Sequence, residues 1–243
     1  MKNELIAPGI AWTLITLLCL LIIIIGLKKV LDKTSWGYKK KINFLIIAIA
    51  SISLWTLLLV VLSFSGFFSD FSKMPPKPLF ALLLPLPFII LFTFSTSGKQ
   101  LLLAVPPHWL IYMQTFRIAV EILLLLAFFK KLLPVQMTFE GRNFDILTGI
   151  LAIPAGYLVA QKKLKAKWTI LLFNIIGILL LMNILAIAVL SMPIPIRYFI
   201  NEPANTIVAE FPFILLPGVL VPIAYSFHIF SLRQLQIQKS NLE

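Results

Sequence analysis

Apolar runs of roughly 20 residues, each long enough to cross a ~30 Å hydrocarbon core as a helix, recur along nearly the whole chain with short polar links between them. Seven segments meet this length test, at approximately 8–27, 43–67, 79–96, 109–129, 146–161, 168–190 and 211–230. In lipid every backbone polar group must be satisfied internally, so the pattern predicts an all-α membrane protein, a bundle of about seven transmembrane helices in one domain over residues 1–243. The third segment contains Pro85 and Pro87, each of which removes a backbone donor, and a kink or break is expected there. The run from Gln100 to Pro107 reads as an interfacial or re-entrant piece before the fourth helix, and the fifth segment is the shortest. The first apolar stretch, Ile10 to Leu27, exceeds a signal-peptide core and runs into Lys28 and Lys29 without a small-residue cleavage site, so it is expected to stay as helix 1.

Composition strengthens this reading. Apolar residues make up 60% of the 243 and the mean hydropathy is +1.01, against about 45–50% apolar residues in ordinary soluble domains. The lipid bilayer is the expected surrounding. A net charge of +12 would suggest nucleic acid if it formed a patch, but the lysines and arginines sit in short runs between apolar segments, which argues for topology signals and against a nucleic-acid partner. One side collects Lys28, Lys29, Lys33, Lys39, Lys40, Lys41, Lys99, Lys162, Lys163, Lys165, Lys167, Arg233 and Lys239, while the other holds Lys2, Lys73, Lys77, Lys130, Lys131, Arg142 and Arg197. Cytoplasmic loops keep the positive excess, so the N-terminus is expected outside and the C-terminus in the cytoplasm. Glu4, Asp70, Glu140, Asp145, Glu202 and Glu210 all fall on the predicted outer side. The single cysteine, Cys19, allows no intrachain disulfide.

Candidate chemistry is sparse and therefore informative. Gln114, Arg117 and Glu121 are spaced i, i+3 and i+7 on the fourth helix, on one face near mid-membrane. A charge at the bilayer centre costs roughly 2.5–3.5 kcal/mol on insertion scales, so Arg117 and Glu121 are expected to pair at i, i+4 and to face protein or a wet cavity. A structural ion pair and a solute site or proton relay both fit. Asn174 and Asn183 lie on different faces of the sixth helix and read as interhelical glue. Two polar loops on the outer side, Phe139 to Asp145 and Arg197 to Asn205, carry more charge than capping needs. Asp145 or Asn143 can cap the fifth helix, and Asn205 can start a short helix or the seventh. Glu140, Arg142, Arg197 and Glu202 then remain, and Glu140, Arg142 and Glu202 with Asn143 and Asp145 are candidates to close over a cavity walled by Arg117 and Glu121. His108 and His228 are the only histidines, both expected near cytoplasmic helix ends, with no spacing that makes a metal or haem site.

Several seven-helix functions fail on residues. No lysine lies between Phe211 and Phe230 to anchor retinal, and two histidines are too few for a three-histidine zinc site. G-x-S-x-G, H-E-x-x-H, Walker A and C-x-x-C are absent, so no catalytic motif is recognisable and neither cofactor nor metal is expected.

The runs MTFEGRNFDILTGILAIPAGYL (137–158) and NEPANTIVAEFPFILLPGVLVPIA (201–224) resemble an uncharacterised family of bacterial multi-pass membrane proteins, over roughly Pro107 to Leu235. The resemblance implies a bacterial inner-membrane location and carries no activity and no functional residues. The reading that results is a seven-helix bundle with an outward-facing polar cavity, lined by Gln114, Arg117, Glu121, Glu140, Arg142, Asn143, Asp145 and Glu202, which binds or transports a small polar or ionic solute. Two other classes stay open: an intramembrane enzyme with Glu121 or Asp145 as general base on a lipid-like substrate, and a subunit of a membrane complex.

Overall fold

The computed structural model describes residues 2–161 and 166–240. Lys162, Lys163 and Lys165 of the expected basic link lie outside the described residues. Ten α-helices follow in order: α1 (Lys2–Lys33), α2 (Tyr38–Phe64), α3 (Pro78–Leu83), α4 (Pro85–Phe94), α5 (Thr96–Ala104), α6 (Pro107–Tyr112), α7 (Phe116–Phe129), α8 (Ile146–Ala160), α9 (Ala166–Leu190) and α10 (Val221–Ser240). Among the described residues there is no strand. Among the described residues five stretches are long and apolar enough to cross a membrane: Gly9–Lys33, Tyr38–Phe64, Pro107–Phe129, Ala166–Leu190 and Leu216–Gln238. A bent pair, Pro78–Phe94 with Thr96–Ala104, makes a sixth if counted as one span. The chain is a multi-pass membrane protein.

Local chemistry explains where the helices stop. The third expected segment breaks at Ser95, where the chain turns by 79°. The Ser95 hydroxyl accepts from Gly98 N at 3.0 Å and so caps α5, a stronger local device than the two prolines, which interrupt the helix only at Leu84. The last helix starts later than its hydropathy suggests. Residues 211–214 form turns, and the helix opens at Leu215 into a π-helical stretch, Leu216–Leu220. Pro222 has no N–H to give the Gly218 carbonyl in an α-helical ladder, and Trp55 Nε1 of α2 donates to that carbonyl at 2.7 Å instead.

The most consequential departure lies between α7 and α8. α7 ends on Lys131, whose φ of 57° is left-handed, with Lys131 N bonded to Phe128 O at 2.7 Å and Leu132 N to Ala127 O at 3.0 Å. This paired closure turns the chain back into the bundle, and Leu133, Gln136, Met137, Thr138, Asn143 and Asp145 are all buried. Irregular backbone at membrane depth is tolerated only inside protein or along a cavity. α8 is therefore short, 15 residues, because its first turn begins inside the bundle. Gly149, Ala152 and Gly156 form its inner face and let α8 lie against α7 and α6, since a Cβ at Gly149 would sit 2.9 Å from Ile118 N and one at Gly156 would enter the Tyr112 ring.

One polar contact outside the spans has a measurable signature. In the link between α2 and α3, Asp70 accepts from the Ser72 hydroxyl at 2.6 Å and pairs with Lys77 at 3.1 Å. The Ser72 hydrogen bond, followed by that to Lys77, holds its carboxyl down at about 2. A depressed carboxylate contributes stability that is full above its ordinary value near 4 and is lost as pH falls through the folded value. The stability difference between Asp70→Asn and the native chain is expected to be constant at pH 5–7 and to vanish as pH approaches about 2, a trend that thermal unfolding in detergent across that range would check.

Candidate functional site

Four elements bring polar side chains to one place in the bundle. α7 supplies Arg117 and Glu121, the loop between α7 and α8 supplies Asn143 and Asp145, α9 supplies Asn174, and α10 supplies His228 and Ser231. All seven are buried.

Arg117 is the centre. Its Nε donates to Asp145 Oδ2 at 2.7 Å and its second terminal nitrogen to Asp145 Oδ1, a bidentate pair with both side chains withdrawn from solvent. The remaining terminal nitrogen lies 3.1 Å from His228 Nε2. The orientation of that histidine follows from its other neighbour. Asn174 Nδ2 donates to Ile170 O at 2.7 Å and to Ser231 Oγ at 2.8 Å, which leaves Asn174 Oδ1 as the acceptor 2.8 Å from His228 Nδ1. His228 Nδ1 therefore carries the proton, and Nε2 offers its lone pair to Arg117. Gly177 of α9 makes room for the ring, because a Cβ there would overlap His228 Cε1.

On the opposite side of Arg117, Asn143 joins the second carboxylate to the loop. Its Nδ2 donates to Glu121 Oε2 at 2.6 Å and to Met137 O at 3.0 Å, while its Oδ1 accepts from Asp145 N at 3.0 Å. The network runs from Ser231 through Asn174, His228, Arg117 and Asp145 to Asn143 and Glu121. It holds two carboxylates against one guanidinium.

The expected Arg117–Glu121 ion pair is not formed. Side chains on a helix lean towards its N-terminus, and an acid that follows a base by four residues is the less favourable order for pairing. Asp145 reaches Arg117 from outside the helix with both oxygens and takes its place. Asp145 stands at the N-cap position of α8 but makes no capping bond with its side chain, because its carboxylate is spent on Arg117. Gln114 is buried one turn earlier and donates to Ala224 O of α10 at 2.9 Å, with its Oε1 left without a partner.

Glu140, Arg142 and Glu202 stand apart from this network. Glu140 and Arg142 are exposed, and Glu202 pairs with Arg197 at 3.1 Å on the surface. The two polar loops do meet, with the Arg142 guanidinium 5.5 Å from the Phe199 ring centre, and α9 holds the first of them through Asn183 Nδ2, which donates to Arg142 O at 2.9 Å. Asn205 starts no long helix. It ties its loop to the end of α9, donating to Ala188 O at 2.9 Å. The two histidines also part company. His108 stays half-buried beside Tyr112, with ring centres 6.1 Å apart, whereas His228 shares the depth of Arg117 rather than sitting at a helix end.

Ser231 was not singled out in the sequence, while Asn174 read as interhelical glue and His228 as a helix-end histidine, neither as a partner of Arg117. One signal was present: His228 and Ser231, spaced i, i+3, form a polar strip in an otherwise apolar stretch of α10.

A cavity of about 70 Å³ opens beside the network, with Arg117, Glu121 and Asp145 at its polar end and Val120, Leu124, Leu181 and Leu220 among its apolar walls. It has room for a few waters or one small ion.

No curated protein and no solved structure matches the chain. A family model described as Domain of unknown function (DUF8737) matches residues 78–236, which include every member of the buried network. That match covers more than half of the 243 residues, and the chain belongs to this family.

Proposed function

We propose that this protein crosses the bacterial inner membrane seven times, with its N-terminus outside and its C-terminus in the cytoplasm, and that its polar cavity binds and moves a small polar or cationic solute. The observation that carries the reading is the charge balance around the cavity. Asp145 neutralises Arg117, so Glu121 is a second buried carboxylate whose one side-chain hydrogen bond comes from neutral Asn143. An isolated buried carboxylate is costly unless a proton or a cation accompanies it, and the adjoining space of about 70 Å³ accommodates either a small cation or a small hydrogen-bonding molecule. The seven-crossing count adds the bent pair and short α8 to the five long spans, α8 being completed in depth by the loop that precedes it. The lysine excess at one end supports the orientation.

Thermal stability of the detergent-purified chain against a panel of inorganic cations, amines and neutral metabolites tests this. A ligand of the folded state adds about 2.7 kcal/mol at a hundred times its Kd. A ligand-specific rise in Tm is expected in the native protein and is expected to be lost in Glu121→Gln, which keeps the shape and removes the charge. No shift with any compound, together with a strongly destabilised Glu121→Gln, would replace this reading with a purely structural network.

A further inference from the structure

A second and much larger concavity lies elsewhere, between α1 and the body of the protein, with a volume of about 610 Å³. One wall is a single face of α1 from Ile15 to Val30, about 22 Å long at 1.5 Å per residue, and the opposite wall includes Trp109, Phe116 and Phe230. Its length exceeds the ~15 Å that one leaflet contributes to the hydrocarbon core. Gly26 lies on this wall, and a Cβ built there meets nothing within 4 Å, so the groove is open where α1 nears its basic end.

That end is strongly cationic. Lys29 lines the groove itself. Lys28 and Lys33 flank it on α1, and Lys39, Lys40 and Lys41 stand in the first turn of α2, against the single acid Asp32. Two of these ammonium groups are held over indole rings, Lys33 at 5.2 Å from Trp109 and Lys40 at 4.1 Å from Trp36, the arrangement expected at a membrane–water boundary. An apolar slot of leaflet length that ends in clustered lysines complements one kind of molecule. A second copy of this chain would bring the same positive rim against itself.

We infer that the groove between α1 and the body is a binding site for an anionic phospholipid, with an acyl chain along the Ile15-to-Val30 face and the head-group phosphate between Lys29 and Lys33. This site shares only Phe116 with the lining of the solute cavity and none of its charged residues. It lies on the side assigned above to the cytoplasm.

Native mass spectrometry of the full chain with equal amounts of phosphatidylglycerol and phosphatidylcholine tests the inference. Phosphatidylglycerol is expected to be retained in preference. Lys29→Ala is expected to weaken that retention about fivefold, the equivalent of ~1 kcal/mol per basic residue at an anionic head group. Gly26→Phe projects a ring from an open position on the groove wall and is expected to abolish retention of either lipid while leaving Tm unchanged or higher. Equal retention of the two lipids, unchanged phosphatidylglycerol binding in both variants, equivalent stabilisation by inorganic phosphate alone, or a dimer mass that Gly26→Phe dissociates would each overturn it.

Discussion

Arg117→Ala is expected to lower stability by about 3–5 kcal/mol, because it leaves Asp145 as a buried carboxylate with no counter-charge and takes the donor from His228 Nε2. Neutral interhelical hydrogen bonds in membranes are worth far less, about 0.6 kcal/mol on average and at most about 1.7, so the charge dominates this effect. Asp145→Ala is expected to cost a similar amount for the converse reason. Replacing both partners together, Arg117→Met with Asp145→Leu, removes the charges as a pair and is expected to recover most of the loss, since well-packed apolar groups often match a buried ion pair. Denaturant unfolding in detergent of the native chain, the single variants Arg117→Met and Asp145→Leu and the double variant measures the coupling. Losses below about 1 kcal/mol for both single variants, or a double variant as unstable as the sum, would show that the pair does not hold α7 to the loop between α7 and α8.

Gly149→Val is expected to cost about 3 kcal/mol or to prevent folding, at the top of the usual range for overpacking. Its Cβ would lie 2.6 Å from Ile118 Cγ1 and 2.9 Å from Ile118 N, and a backbone nitrogen within α7 cannot rotate away. α8 would have to separate from α7, and that movement carries Asp145, one residue before α8, away from Arg117. Gly26→Ala is the matched control. It adds a methyl group into open space and improves helix propensity by about 1 kcal/mol, so a neutral or positive change in Tm is expected there. If the two variants lose stability equally, close approach of α7 and α8 is not what Gly149 provides.

How much of this was readable in advance depended on the range of the interaction. The segments 43–67, 109–129 and 168–190 correspond closely to Tyr38–Phe64, Pro107–Phe129 and Ala166–Leu190, because the free energy of placing a helix in lipid is a sum over neighbouring residues. The segment 79–96 was legible as irregular, but the 79° turn falls at Ser95 rather than at the prolines, since a capping hydroxyl decides where a new helix starts. For the site, Gln114, Arg117 and Glu121 were readable as one helical face, and Asn143 and Asp145 as polar loop residues able to cap the fifth helix or to line a cavity. Glu140, Arg142 and Glu202, which capping does not explain, read as equal candidates for the cavity and lie at the surface. Nothing in their spacing separated the two groups, because the sharp return of the chain after Lys131 selects which loop residues enter the bundle.

The sequence by itself determined that the chain is helical and built for a membrane, and that the charges on α7 must turn inward, because both follow from the cost of exposing polar groups to lipid. Only the tertiary structure decided what those charges meet. Arg117 finds Asp145 28 positions along the chain and His228 111 positions along it, not Glu121 on the next turn. Partner choice is a matter of three-dimensional proximity and hydrogen-bond direction, which a periodic pattern of polar positions does not encode.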